Sequence, residues 1–134
     1  MIPAKRTPYA TAQVNSASPE QILVLLYDAA IRDVKDAIGA LQDGDRSRKA
    51  KALDQGVKVV TELLSSLRPE KAPEIAANLS NLYDFMIDRM IRSNAQNEDC
   101  DLQSVVNLLS ELRGAWVEAI RINRTQRNQG AAGA

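Results

Sequence analysis

Apolar residues recur at helical spacing in four separate stretches of the chain. Within each stretch most of them are three or four residues apart, so they fall on one face of a helix. The positions are Leu23, Ala30, Val34, Ala37, Ile38 and Leu41; Ala50, Leu53, Val57, Val60, Leu64 and Leu67; Ile75, Leu79, Leu82, Met86 and Met90; and Leu102, Val105, Leu109, Leu112, Trp116 and Ile120. The pattern predicts four amphipathic helices, spanning Pro19 to about Gln42, Arg46 to about Leu67, Pro73 to about Ser93 and, after a cap at Asp99 or Asp101, Leu102 to Ile122.

The ends of these helices carry recognisable start and stop signals. Ser18 and Gln21 have the spacing of a capping box, and Pro19 lies at the first helical position, where its missing N–H does no harm. The segments DGD at residues 43–45, RPEKAP at residues 68–73 and NAQNED at residues 94–99 interrupt the apolar pattern. Short polar connections of this kind join neighbouring antiparallel helices.

The sequence therefore predicts an all-α fold, an antiparallel up-down-up-down four-helix bundle formed by residues 18–122. Residues 1–17 contain two prolines and no sustained period, which is typical of an extended N-terminal arm. Tyr9 and Val14 are the residues with which this arm could be anchored. Residues 123–134 also lack a period, and we expect them to form a disordered tail.

Charge and composition restrict the partners and the compartment. The 17 lysines and arginines balance the 17 aspartates and glutamates, so no net field attracts nucleic acid or an anionic membrane. No apolar run approaches the roughly 20 residues that cross a bilayer, and the N-terminus lacks a secretory signal, which predicts a cytoplasmic protein without membrane insertion. Arg121, Arg124 and Arg127 leave the C-terminal end basic. These arginines could contact RNA or an acidic partner, or they could serve only to keep the chain soluble. The lack of aromatic residues between them favours the second interpretation.

Catalytic and metal chemistry have no support in the residue types. The chain has no histidine, which removes the phosphorelay and di-iron roles of some four-helix bundles. Cys100 lacks a histidine base, and isolated glycines form no phosphate-binding loop. We therefore expect neither an enzyme nor a protein with a catalytic residue, a metal or a cofactor. Affinity for a partner would have to come from shape and apolar surface.

Several apolar residues lie beside the predicted seams. Val59 and Leu63 are displaced by roughly 90–130° from the centre of their seam, at about 100° per residue, and Gly56 on the same flank permits close backbone approach. Extra apolar residues on a helix that buries one stripe indicate a surface for a partner. The partner-binding residues predicted in this way are Gly56, Val59, Leu63, Ile87, Ile91, Val106 and Val117. Alternatively, they broaden the bundle interface or face the arm or a second copy of the chain.

Three blocks of the sequence resemble the flagellin-specific secretion chaperone family, FliS. The first consists of Tyr9, Val14 and NSASPEQILVLLYDAAIR at Asn15–Arg32; the others are EIAANLSNLYDFMIDRMIRSNAQNED at Glu74–Asp99 and LLSELRGAW at Leu108–Trp116. The blocks occur in family order and cover about residues 9–117. The chain departs from the family pattern at Arg6, where a tyrosine is expected, at Ala29, usually glycine, and at Asp33, commonly apolar.

The resemblance implies an antiparallel four-helix bundle with an N-terminal arm, which agrees with the periodicity. It also implies a cytoplasmic chaperone that binds the disordered C-terminal segment of flagellin one to one, prevents premature polymerisation and presents flagellin to the flagellar type III export gate. No cofactor is implied. The role of the arm in binding is transferred to Tyr9 and Val14 only.

Two tyrosines, Tyr27 and Tyr83, match family positions, and each lies in a Leu-Tyr-Asp triplet. We expect their rings to be buried and their hydroxyls to be hydrogen-bonded. The export gate and a co-chaperone are further candidate partners, and we expect the free chain to be a monomer or a weak homodimer. A self-associating structural bundle, or an adaptor without a flagellin client, is the alternative function.

Overall fold

The computed structural model describes residues 18–133, with side-chain surroundings through residue 130. These residues form four helices and no strand. The helices are α1 (Pro19–Asp43), α2 (Arg46–Ser65), α3 (Pro73–Gln96) and α4 (Leu102–Gly133). The predicted arm, with Tyr9 and Val14, lies outside the described residues.

The capping signals act as the sequence predicts. The Ser18 hydroxyl accepts a hydrogen bond from the Gln21 N–H, and the Gln21 side chain accepts one from the Ser18 N–H, which completes the capping box of α1. Gly44 ends α1 at φ 71°, a left-handed conformation that glycine adopts without strain. Asp45 then caps α2 by accepting from the Arg48 N–H. The connection between α1 and α2 is therefore only two residues long.

The four helices pack in a ring in which each helix is antiparallel to its neighbours. Arg48 at the start of α2 donates to Asp36 near the end of α1, at 2.8 Å. Lys49 of α2 donates to the Asn94 carbonyl at the end of α3, at 3.0 Å. The ring closes where α4 packs on α1. The predicted antiparallel up-down-up-down bundle is confirmed.

The buried face of α2 is rotated from the predicted seam. Leu53 and Val60 are buried as predicted, whereas Val57, Leu64 and Leu67 are only partly buried. The buried positions that replace them are Lys49, Ala52, Gly56 and Leu63. The reason is the close approach at Gly56, where an added Cβ would lie 3.0 Å from the Met90 sulfur and 3.6 Å from the Asp33 Cβ. If a larger side chain of the predicted seam took the place of Gly56 in this contact, α2 would have to move away from α1 and α3. The helix therefore turns its glycine toward them.

The last two helices extend beyond their predicted ends. The α3 helix ends at Gln96 rather than Ser93, and Asn97 follows in the left-handed conformation with its N–H bonded to the Ser93 carbonyl. The segment expected to be a disordered tail continues α4 as far as Gly133. Residues 121–130 are exposed, so the packed part of α4 ends at Ile120, although the helix itself continues. Within the described residues, no helix combines the length and apolar content that a bilayer crossing requires.

Candidate functional site

An open groove separates α3 from α4 at the end of the bundle where α3 begins. These two helices pack less extensively on each other than the other neighbouring pairs do. Across the groove from Ile75 and Leu79 of α3, α4 presents Ala115 and Ala119. Because alanine side chains are short, they leave the space between the helices unfilled. The two alanines therefore contribute to the opening of the groove, although Leu112 and Trp116 complete the α4 wall.

Two connected depressions form this surface, which we call the apolar groove. One, of about 310 Å³, lies between α3 and α4. The other, of about 530 Å³, lies at the end of the bundle between α1, the start of α3 and the connection from α2 to α3, with Trp116 as the contribution of α4. Ile75, Leu79 and Trp116 line both depressions. The remaining apolar lining consists of Pro19, Ile22, Leu23, Leu26, Leu67, Ala72, Ala76, Tyr83, Leu112, Ala115 and Ala119.

Ile75 is the most conspicuous apolar residue of the groove. The sequence places it in the core seam of α3, but 58% of the residue is exposed, so that prediction is wrong. The row of apolar residues on α3 continues beyond the part of the helix on which α4 packs closely. No side chain of α4 therefore covers Ile75. A large exposed aliphatic residue in a concave, mainly apolar surface is typical of a site that binds another apolar segment.

A hydrogen-bonded aromatic cluster supports the floor of the groove. Trp116 donates from its Nε1 to the hydroxyl of Tyr27 at 3.1 Å, and the hydroxyls of Tyr27 and Tyr83 are hydrogen-bonded to each other. Both tyrosines are buried, and burial raises the pKa of each phenol above its ordinary value. The hydroxyls are therefore neutral. The expectation that Tyr27 and Tyr83 are buried rings with bonded hydroxyls is confirmed.

The structure does not bring the predicted partner-binding residues together on one surface. Gly56, Leu63 and Val106 are buried, so their predicted displacement from the core is wrong. The cause is the rotation of α2 about Gly56 and the packing of Val106 beside Val105 inside the bundle. Val59 and Ile87 are partly buried and pack against the core.

Ile91 and Val117 are exposed, but they lie on two other surfaces. Ile91, 55% exposed, borders a shallow depression of about 370 Å³ between α2 and α3. Val117, 41% exposed, lines a groove of about 720 Å³ between α1 and α4. The rim of that second groove is charged, since Glu20 pairs there with Arg127 at 3.4 Å and Arg124 lies beside them. Binding at these two residues stays a prediction.

The sequence reasoning missed the groove because it assigned its main residues to the core. Ile75, Leu67 and Trp116 have the correct spacing for a seam, but each lies where a seam reaches the end of the bundle. A signal was present in the pattern of α4. Ala115 and Ala119 are one helical turn apart beside Trp116, and small residues at that spacing indicate a wall that does not fill the gap to α3.

The polar groups of the described residues offer no catalytic arrangement. No group of three His, Cys, Asp or Glu side chains within residues 18–133 could hold a metal ion. The Cys100 thiol donates a hydrogen bond to an amide oxygen, Oε1 of Gln96, at 3.3 Å. Asp33 is buried between α1 and α2, where desolvation raises the pKa of its carboxyl despite the nearby Arg32. The site with the clearest chemical character is therefore the apolar groove, which is suited to binding.

Comparisons with known proteins agree with the character of this site. The family model described as flagellar protein FliS matches residues 1–123. The chain is 38% identical over 104 residues to the flagellar secretion chaperone FliS of Salmonella typhimurium, covering 77% of each protein. It is 28% identical over 122 residues to the flagellar secretion chaperone FliS of Bacillus subtilis, covering 91% of this chain and 90% of that protein. A third relative, the flagellar secretion chaperone FliS of Vibrio cholerae, is 31% identical over 105 residues, which are 78% of this chain and 77% of that protein.

Proposed function

Because this chain belongs to the flagellar protein FliS family, a family of flagellar secretion chaperones rather than enzymes, we propose that it binds the disordered C-terminal segment of flagellin in the cytoplasm. Holding that segment prevents premature polymerisation and aids delivery of flagellin to the flagellar type III export apparatus. One bundle binds one flagellin. Neither a cofactor nor catalysis takes part.

The observation that carries this proposal is the apolar groove. The C-terminal segment of flagellin folds as amphipathic helices in the filament, and outside the filament it needs another partner for its apolar face. A groove with an exposed Ile75 on one wall and alanines on the other can accept such a face. The net affinity is the gain from apolar burial minus the entropy that is lost when the segment becomes ordered.

Contacts outside the groove are also part of the proposal. We infer that the segment passes over more than one surface of the bundle. The predicted contacts outside the groove are Ile91, Val117 and the arm residues Tyr9 and Val14. The surfaces that the segment leaves uncovered are available to the export gate or to a co-chaperone.

Calorimetric titration with flagellin tests this function. The full chain should bind flagellin with a one-to-one ratio and a negative heat-capacity change, because apolar surface is buried. Flagellin without its C-terminal segment is the matched control and should not bind. Absence of binding to intact flagellin at tens of micromolar, or equal binding to the truncated control, would contradict the proposal.

Sedimentation of the free chain separates the proposal from a structural alternative. We expect a monomer or a weak homodimer, whose interface would not compete with flagellin. A tight dimer that dissociates only on denaturation would favour the self-associating bundle instead.

A further inference from the structure

The groove between α1 and α4 carries apolar residues that the core does not use. Its apolar lining consists of Val24 and Leu25 of α1 and Val117 and Ile120 of α4. Among the described residues, none of these four belongs to the buried core or to the partly buried side chains that pack against it. Val117 is 41% exposed. An apolar surface shared by two adjacent helices in this way is typical of a site that binds a further helix.

Arginines border this groove on its α4 side, and we therefore call it the basic groove. Arg121 and Arg124 line it, and Arg127 lies about one turn beyond them. Arg121 pairs with Glu118 at 2.5 Å and Arg127 with Glu20 at 3.4 Å, whereas Arg124 pairs with no carboxylate of the described residues. Both paired arginines are largely exposed, so the two ion pairs are weak and exchange readily with the carboxylates of a partner.

The charge pattern distinguishes among the candidate occupants. Residues 1–17 contain Lys5 and Arg6 but no acidic residue, so the arm does not complement the arginines. In a two-fold dimer the same surface meets itself, which would bring the arginines of two copies together. Single-stranded RNA binds through aromatic stacking as well as charge, and no aromatic residue lines the groove. An acidic segment with an apolar face matches both the apolar lining and the arginines.

We propose that the basic groove binds an amphipathic helix with acidic residues beside its apolar face, supplied by a protein other than flagellin. The apolar face of this helix covers Val117 and the apolar residues around it. Its carboxylates pair with Arg124 and with the other two arginines of the rim. Binding of this partner does not require flagellin.

The position of the basic groove separates this partner from the client. Ala115 and Ala119 of the apolar groove lie on the flank of α4 that faces α3. Val117 and Arg124 lie on the opposite flank, which faces α1. A segment in the apolar groove therefore leaves the basic groove open, and one bundle can hold both partners. Val117 then contacts the acidic helix rather than the flagellin segment.

Anisotropy titrations of the full chain with two synthetic helices test this site. One labelled peptide of about 20 residues has leucines at three- and four-residue steps and glutamates on both flanks, and its twin has glutamines instead of glutamates. The glutamate peptide should bind about five- to tenfold more tightly at low salt, and this preference should disappear in about 1 M salt. Equal binding of the two peptides at low salt, or no binding of the glutamate peptide at about 100 μM, would overturn the inference.

Charge-matched variants show whether the arginines of the rim cause the preference. The double variant Arg121→Gln/Arg124→Gln should bind the two peptides equally. The control Arg46→Gln/Arg92→Gln removes the same charge from exposed positions on α2 and α3 and should keep the preference. Circular dichroism shows that both variants retain the helices. A preference for glutamate that persists in the first variant would contradict binding at the basic groove.

Two serine variants locate the apolar face of the bound peptide. Val117→Ser should raise the dissociation constant of the glutamate peptide about threefold, because a half-exposed valine no longer contributes to the interface. Ile75→Ser alters the apolar groove and should leave this constant unchanged. The reverse result would place the peptide in the apolar groove and overturn the inference.

Competition identifies the class of occupant. With saturating flagellin C-terminal fragment, the dissociation constant of the glutamate peptide should stay within about twofold of its value without the fragment. Displacement of the peptide by the fragment would make flagellin the occupant, and tighter binding of a poly(U) oligonucleotide would make RNA the occupant. Either result overturns the inference and leaves the proposed function standing. If the fragment does not bind at all, the proposed function fails, and the peptide titrations still decide about the basic groove.

Discussion

Replacement of Ile75 by serine is the substitution that separates binding from folding most clearly. Complete burial of an isoleucine side chain contributes roughly 1.5–3 kcal/mol. Since 58% of Ile75 is still exposed in the free chain, its burial by a client would contribute about 1–1.7 kcal/mol by the same scale. Ile75→Ser should therefore raise the dissociation constant for the flagellin segment about 5- to 20-fold.

The matched control is Ile122→Ser. Ile122 is 43% exposed but lies on α4 beyond the apolar groove, so its replacement should leave the affinity unchanged. Calorimetry gives the dissociation constants, and urea denaturation shows whether stability is retained. A wild-type affinity for Ile75→Ser, or an equal loss in the two variants, would refute the placement of the client in the groove.

Three further predictions concern stability. Lys49→Met keeps the buried aliphatic part of the side chain but removes the donor to the Asn94 carbonyl. Urea denaturation should show a free energy of unfolding that is lower by about 1–2 kcal/mol, whereas the control Lys51→Met, at an exposed position, should show no loss. Equal stability of the two variants would contradict the role of this bond. Because desolvation raises the pKa of Asp33 above its ordinary value, Asp33→Asn should be more stable than the wild type at pH 7. The difference in stability should shrink as the pH falls toward the ordinary aspartate pKa of about 4, since the buried carboxyl binds its proton above that pH; a pH-independent difference would refute this. Burial raises the pKa of Tyr27 and Tyr83, so as the pH rises these hydroxyls lose their protons in the unfolded chain before they do so in the folded chain. The free energy of unfolding measured by denaturation should therefore decrease above about pH 10. A stability that does not change with pH in that range would exclude this effect.

The bundle could be predicted from the sequence because its signals are local and repeated. A capping box at Ser18 and apolar residues at three- and four-residue steps define each helix without knowledge of its neighbours. The rotation of α2 could not be predicted in this way. It depends on how closely Gly56 lets α2 approach Asp33 and Met90, which is a property of three helices together.

The site was harder to predict than the fold for the same reason. Periodicity identifies a residue such as Ile75 as apolar and correctly spaced, but not whether a neighbouring helix covers it. Leu63 and Ile75 illustrate the two errors, since the former was expected at a binding surface and is buried, while the latter was expected in the core and is exposed. The family resemblance supplied the chaperone role, whereas the position of the groove required the packing.

The central claim is that the client segment lies in the apolar groove beside Trp116. A fluorescence titration with a tryptophan-free flagellin C-terminal fragment tests it directly, because all the indole emission comes from this one residue. We predict a shift of the emission to shorter wavelengths that saturates at one equivalent, as the fragment excludes water from the partly buried indole. Calorimetric binding of the fragment with no change in Trp116 emission would place the client elsewhere and contradict the claim.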